Sequence, residues 1–122
     1  MTLYLTIDDA LHVLDRFGFH ARDVGLLASA LARPATTISG VDAYDGIAMK
    51  SAALLESVVR NHPLLDGNRR TGWTLAVLFL WINGYSHTMD ADTGFDLVTG
   101  VARGEFELER VAAVIRSDLS AR

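Results

Sequence analysis

The sequence contains no cysteine. Disulfides, zinc–thiolate centres and cysteine nucleophiles are therefore excluded, and an intracellular home is permitted. Long hydrophobic runs are missing too: the most apolar stretch, Leu75 to Ile82, falls far short of the roughly 20 residues a bilayer crossing needs. Met1 to Thr6 has no basic region followed by an apolar stretch, so no secretory signal is read there. A soluble, cytoplasmic protein with no membrane partner is expected. There is no cationic surplus, since 11 basic residues stand against 15 acidic ones for a formal charge of −4. Nonspecific nucleic-acid binders displace counterions with a cationic surface, so no direct nucleic-acid binding is expected. The nucleotide signatures G-x-x-x-x-G-K-S/T and G-x-G-x-x-G are both absent, which leaves a conventional kinase or NTPase without support.

What is present suits one helical domain over residues 1–122. Half of the 122 residues are apolar, and a chain of this size buries roughly 65% of its unfolded surface without needing a staple. Thr6-Ile7-Asp8-Asp9 resembles a capping box, with Ile7, Leu11 and Leu14 following at helical spacing and Gly18 as the stop. Asp23 to Ala32 reads as a second helix with Leu26, Leu27 and Leu31 inward, closed by Pro34. Ala35 to Gly40 is a polar loop. Asp42 to Arg60 then carries Tyr44, Ile47, Ala48, Leu54, Leu55, Val58 and Val59 as a long amphipathic helix, ended by Asn61 and His62 ahead of Pro63.

After the turn Asp66-Gly67-Asn68 a helix is predicted to about Asn83, with Gly84 as its stop. Its middle is apolar on every face, so it is expected at the centre of the bundle, with Trp73, Leu78, Phe79 and Trp81 in the core. Two shorter helices follow, about Ala91 to Arg103 and about Leu108 to Leu119, the latter with Val111, Ala112, Val114 and Ile115 inward. The expected fold class is all-α, a bundle around a buried central helix.

The chemistry concentrates between Arg60 and Arg70, where a His, an Asp, two Asn and three Arg lie between two strongly apolar helices. Gly67 and Asn68 open a helix whose first N–H groups have no internal partner, and the helix dipole favours an anion there. Arg69 and Arg70 begin the same helix, an unfavourable place for two cations unless an anion offsets them. Their forked donors match phosphate oxygens. Asp66 can hold Mg²⁺ bridging two phosphates, and the His62 imidazole can take the proton of an attacking hydroxyl. Pro63 stiffens the loop, and Leu64 or Leu65 anchors it. Arg60 either reaches the phosphates or caps carbonyls at its helix end. The same residues also read as an ordinary Asp-Gly-Asn turn, a capping histidine and two solvated arginines. A metal hydrolase has little support, because no second His lies near His62 and Asp66 to complete a three-ligand site.

The run His62-Pro63-Leu64-Leu65-Asp66-Gly67-Asn68-Arg69-Arg70 resembles the signature of the Fic/Doc family, H-x-F-x-D/E-A/G-N-K/G-R. Leu64 stands in place of Phe, one core anchor for another. The resemblance extends to Leu26–Pro34, Ala48–Arg60, Phe79–Gly84 and Gly100–Val111. It implies that His62 is the general base toward a target-protein hydroxyl and that Asp66 positions Mg²⁺. It likewise implies that Gly67 and Asn68 form the anion-holding turn and that Arg70 binds phosphate. Arg69 occupies the subtype position, Gly in AMP-transferring members and Lys in the Doc type, which binds ATP the other way round and transfers its γ-phosphate. Arg keeps the charge and bulk of Lys, so the Doc pattern is the nearer one. The resemblance thus implies ATP and Mg²⁺ as cofactors and a protein target such as elongation factor Tu, with translation and growth arrested. An AMP transferase or a non-catalytic, partner-binding member is the alternative.

Self-restraining members carry S/T-x-x-x-E-G/N. The residues four before Glu56, Glu105, Glu107 and Glu109 are Ala52, Val101, Arg103 and Glu105, so this motif is absent. The resemblance then implies restraint by a Phd-like antitoxin that inserts a folding tail into a groove. Lys50 is expected in solvent or facing that antitoxin, and His12, His20 and His87 are expected to be structural.

Overall fold

Thr6 and Asp9 cap the first helix reciprocally. Thr6 Oγ1 accepts the Asp9 N–H at 3.2 Å and Asp9 Oδ2 accepts the Thr6 N–H at 2.8 Å, so two otherwise unpaired donors are satisfied. The computed structural model describes residues 1–122. Helix α1 spans Ile7–Phe17 and stops at left-handed Gly18. Helix α2, Val24–Ala32, is capped by Asp23 and runs into a single 3-10 turn, Arg33–Ala35, that contains Pro34.

The next segment differs from the sequence reading. Thr37–Ile38 (β1) and Val41–Asp42 (β2) form a small antiparallel hairpin, and helix α3 covers Ile47–Asn61 rather than starting at Asp42. Asp42 is paired within the hairpin, and Gly46, at φ 85°, breaks any helical path from Asp42 into α3. Helix α4 is Asn68–Ile82, and β3, Tyr85–His87, follows it. Helix α5 is Ala91–Ala102, α6 is Leu108–Ser117, and β4, Leu119–Ala121, pairs antiparallel with β3. The fold is mostly helical, as expected, with strands only in these two short pairs. No helix is long and apolar enough to cross a membrane.

The central helix is α3, not α4. Ten residues of α3 are buried, against six of α4. The reason is size: Ala48, Ser51, Ala52, Ala53 and Ser57 let neighbouring helices approach α3 from all sides. Helix α4 packs antiparallel to it, tied by Ser51 Oγ donating to the Ala76 carbonyl and closest at Gly72, where a Cβ would press into Val59. Together the two helices divide the interior. Ala52, Leu55, Val59, Ala76 and Leu80 face a core shared with α5 and α6. Leu54, Val58, Leu75 and Phe79 face one shared with α1 and α2.

Two further expectations are corrected. Trp81 is 49% exposed. Its flat face is covered by Arg122, whose guanidinium lies 4.3 Å from the ring centroid while Nε donates to the Trp81 carbonyl. Lys50 is neither solvated nor free to face a partner, being only 2% exposed. Its Nζ donates to Asp42 Oδ2 at 3.0 Å and to the Tyr44 carbonyl at 2.6 Å. The hairpin folds acceptors over α3 that helical periodicity alone does not show.

Candidate active site

The loop between α3 and α4 is held by a segment forty residues earlier in the chain. Helix α3 ends at Asn61, and His62 follows in the left-handed region at φ 51°, ψ 57°. That conformation costs a side-chain-bearing residue roughly 1–3 kcal/mol and persists only where the surroundings impose it. Here they do. Arg22 donates from Nε and Nη2 to the His62 carbonyl at 3.0 and 2.6 Å. The Arg22 and Asp23 amides donate to the Pro63 carbonyl, and the Leu65 amide donates to the His20 carbonyl. Leu64 is the anchor, 2% exposed in the α1–α2 core, whereas Leu65 is 69% exposed.

Asn68 braces the same loop from its other end. Its Oδ1 accepts the Leu64 N–H at 3.0 Å and its Nδ2 donates to the Leu64 carbonyl at 3.1 Å. Gly67 is left-handed at φ 77°, and the Phe19 ring occupies the space a Cβ would need. Both facts demand glycine. Because Gly67 has no capping side chain, the N–H groups of Asn68, Arg69 and Arg70 have no acceptor within the protein.

The cations at this helix start are likewise unpaired. The three ion pairs of the molecule are Arg33–Glu56, Lys50–Asp42 and Arg103–Glu105, none of them involving Arg69 or Arg70. Arg70 rests its guanidinium 4.4 Å from the centroid of the Phe17 ring. Its position so near a positive dipole end is unfavourable without an anion. Asp66 is exposed, and one of its oxygens accepts the Gly67 N–H at 2.8 Å, leaving the other open. No three His, Asp or Glu side chains cluster to cage a metal. A single open carboxylate suits Mg²⁺, which keeps waters and takes most other ligands from a substrate's phosphates.

Arg60 stands apart. Its guanidinium lies against Gly104 in the α5–α6 turn and makes no hydrogen bond. It lines a polar cleft with Arg33, Glu56 and Asn61, separate from the cavity of Arg69 and Arg70. The carbonyls at the end of α3 are served by Arg22 instead.

Arg69 and Arg70 form one end of a groove of about 410 Å³ between α4 and α5. Trp73, in a T-shaped contact with His87 at ring centroids 5.3 Å apart, and Phe95 supply flat apolar walls. The Thr99 hydroxyl, in the same lining, is buried without a hydrogen-bond partner. His87 accepts the Met89 N–H through Nδ1, a structural bond. Asp90 caps α5, and the Thr93 backbone N–H, at 2.7 Å, holds its carboxyl below the usual carboxylate range.

Sequence reasoning missed Arg22, Phe17 and Phe19. They lie in and after α1, and no motif links that stretch to His62. A signal existed only for Phe19: a glycine required at Gly67 implies a close neighbour, though not which one.

Comparison with known proteins bears on this geometry. Residues 3–80 match the model of the Fic/DOC family. The chain is 46% identical over 118 residues to "Toxin Doc" of Mycolicibacterium smegmatis, covering 93% of this chain and 91% of that protein. It is 38% identical over 66 residues to "Protein kinase doc" of Escherichia phage P1, covering 54% of this chain and 52% of that protein.

Proposed function

Because this chain belongs to the Fic/Doc family, as a Doc-type toxin, we propose that it transfers the γ-phosphate of ATP to a hydroxyl of a target protein. The observation that carries the reading is the start of α4. Three unpaired amides and two unpaired guanidiniums converge there, one loop away from an imidazole held in a strained backbone conformation. Oriented N–H donors at a helix start bind phosphate oxygens, and fixed cations stabilise the charge that develops during transfer.

In this mechanism the amides of Asn68, Arg69 and Arg70 and the two guanidiniums hold the triphosphate, and the open oxygen of Asp66 would hold Mg²⁺ beside it. Bound there, Mg²⁺ would supply neutralisation of phosphate charge. His62 accepts the proton of the target hydroxyl as its oxygen bonds to the γ-phosphorus. The bond from that phosphorus to the β-bridging oxygen breaks, and ADP leaves. The groove beside Arg69 offers aromatic walls to a purine ring. With Arg at position 69 rather than Gly, the start of the helix carries the bulk and charge of the phosphate-transferring type.

The target is a protein of the translation machinery such as elongation factor Tu, the compartment is the cytoplasm, and restraint comes from a Phd-like antitoxin. The similarity to a protein named as a toxin and the missing inhibitory motif support this part of the reading. The test is ATP labelled at the α or γ position, incubated with cell extract and either wild type or His62→Ala. Label transferred from the γ position alone, and lost in His62→Ala, is the expected result. Label from the α position instead identifies AMP transfer, and equal toxicity of His62→Ala identifies a non-catalytic member.

A further inference from the structure

We propose that Arg22, outside the signature run, is a positioning residue for the transfer reaction, fixing the direction of the His62 imidazole through its backbone. The inference rests on the reading of His62 as the base. The His62 ring makes no hydrogen bond and is exposed, so nothing but its own backbone aims it. That backbone is left-handed and precedes a proline, a combination that relaxes unless it is imposed from outside.

Arg22 imposes it at one atom. The fork of the guanidinium places two N–H donors on the His62 carbonyl, at 3.0 and 2.6 Å, and reaches the Asn61 carbonyl at 3.5 Å. These carbonyls have no onward helix to pair with. A hydrogen bond from a charged donor is stronger than a neutral one, and the two-pronged form also fixes direction. Arg22 takes part in none of the ion pairs, so no carboxylate competes for it. Its backbone contributes separately, since the Arg22 and Asp23 amides hold the Pro63 carbonyl whatever side chain stands at position 22. A side-chain substitution therefore removes the hold on His62 while leaving the rest of the splint.

The experiment compares wild type, Arg22→Ala, Arg22→Lys and His62→Ala. It measures the initial rate of γ-label transfer to cell-extract protein at saturating ATP, the ATP concentration for half-maximal rate, the melting temperature, and the carbonyl ¹³C shift of His62. In Arg22→Ala the saturated rate is expected to fall by about ten- to a hundredfold, as for a misplaced catalytic group. Half-maximal ATP should stay within about twofold, since ATP binding is untouched. The His62 shift should move away from its wild-type value, and free guanidinium ion should restore part of the rate. Arg22→Lys, with a point charge in place of the fork, should fall between. No restoration by guanidinium is expected for His62→Ala.

A wild-type rate in Arg22→Ala, with His62→Ala inactive, overturns the inference and leaves the functional reading intact. So does a rate loss that follows the melting temperature and resists guanidinium. If wild type transfers no label, the functional reading fails and the His62 shift decides alone. An unchanged shift in Arg22→Ala overturns the positioning role, and a displaced one supports Arg22 as the group that sets the His62 backbone.

Discussion

Two clusters of cations, on either side of the middle of α3 and at the start of α4, are built from similar residues and end in opposite states. Beside α3, Arg33 donates to the Tyr44 hydroxyl, the Ala53 carbonyl, Glu56 and the Ser57 hydroxyl, and Lys50 is paired with Asp42 and Tyr44. Burial acts to lower the Arg33 pKa, but the hydrogen bonds to Tyr44 and Glu56 outweigh it and hold the guanidinium above its ordinary value. At the start of α4, Arg69 and Arg70 have no anionic partner and stand where the helix dipole repels them. A cation whose donors are satisfied within the fold contributes to stability. One left unpaired against its own dipole is held ready for something that is not part of the chain. The difference lies in acceptors, not in residue type.

Arg70→Ala should have the largest effect. If the two clusters differ as described, γ-label transfer falls about a hundred- to a thousandfold, the loss seen when one transition-state donor is removed. The melting temperature, read by calorimetry, should hold or rise slightly as dipole repulsion is relieved. A fall in stability with intact transfer would place Arg70 with the structural cations. The mirror experiment is Lys50→Met. It leaves Asp42 and the Tyr44 carbonyl without their ammonium, and denaturant titration should show a loss of roughly 2–4 kcal/mol, somewhat under that of a fully buried pair because Asp42 is half exposed. Transfer activity per folded molecule should not change.

A finer test contrasts carboxylates. Asp66→Asn removes the charged oxygen left open beside the proposed phosphate site and should raise the half-saturating Mg²⁺ concentration by at least about tenfold, the loss that even outer partners of a metal produce. An unchanged Mg²⁺ dependence would remove Asp66 from the metal's surroundings.

The candidate site was legible because its parts are contiguous. His62, Asp66, Gly67, Asn68, Arg69 and Arg70 share one loop and one helix turn, so spacing alone brings them together, and capping logic exposes the amides. What holds them was not legible, since Phe19 and Arg22 meet the loop only through the tertiary fold. Helix positions were read well where caps mark them, at Thr6, Asp23 and Gly18. The identity of the central helix was misread because hydrophobicity marks a preference for burial, while room for neighbours depends on side-chain size. Ala52 and Ala53 disappear beneath other helices, whereas the large, apolar Trp81 ends up under Arg122 at the surface. Lys50 failed for a related reason: its acceptors come from a hairpin that forms only when the chain folds back.

The smallest expected effect concerns Asp90, which shares the groove with Arg69 and Arg70 yet belongs with the satisfied groups. Its Oδ1 is held by the Thr93 N–H, and its pKa is lowered chiefly by that bond. A carboxyl with a depressed folded-state pKa stabilises fully above the unfolded value of about 3.9, and the contribution is lost as pH falls through the folded value. Asp90→Ala should therefore melt at a lower temperature than wild type at pH 7, by the same margin at pH 5, with the gap closing below about pH 3.9. The half-saturating Mg²⁺ concentration should not move. A Mg²⁺ dependence that shifts as it does in Asp66→Asn would show that nearness to the arginines, rather than a free oxygen, decides which carboxylate meets the metal.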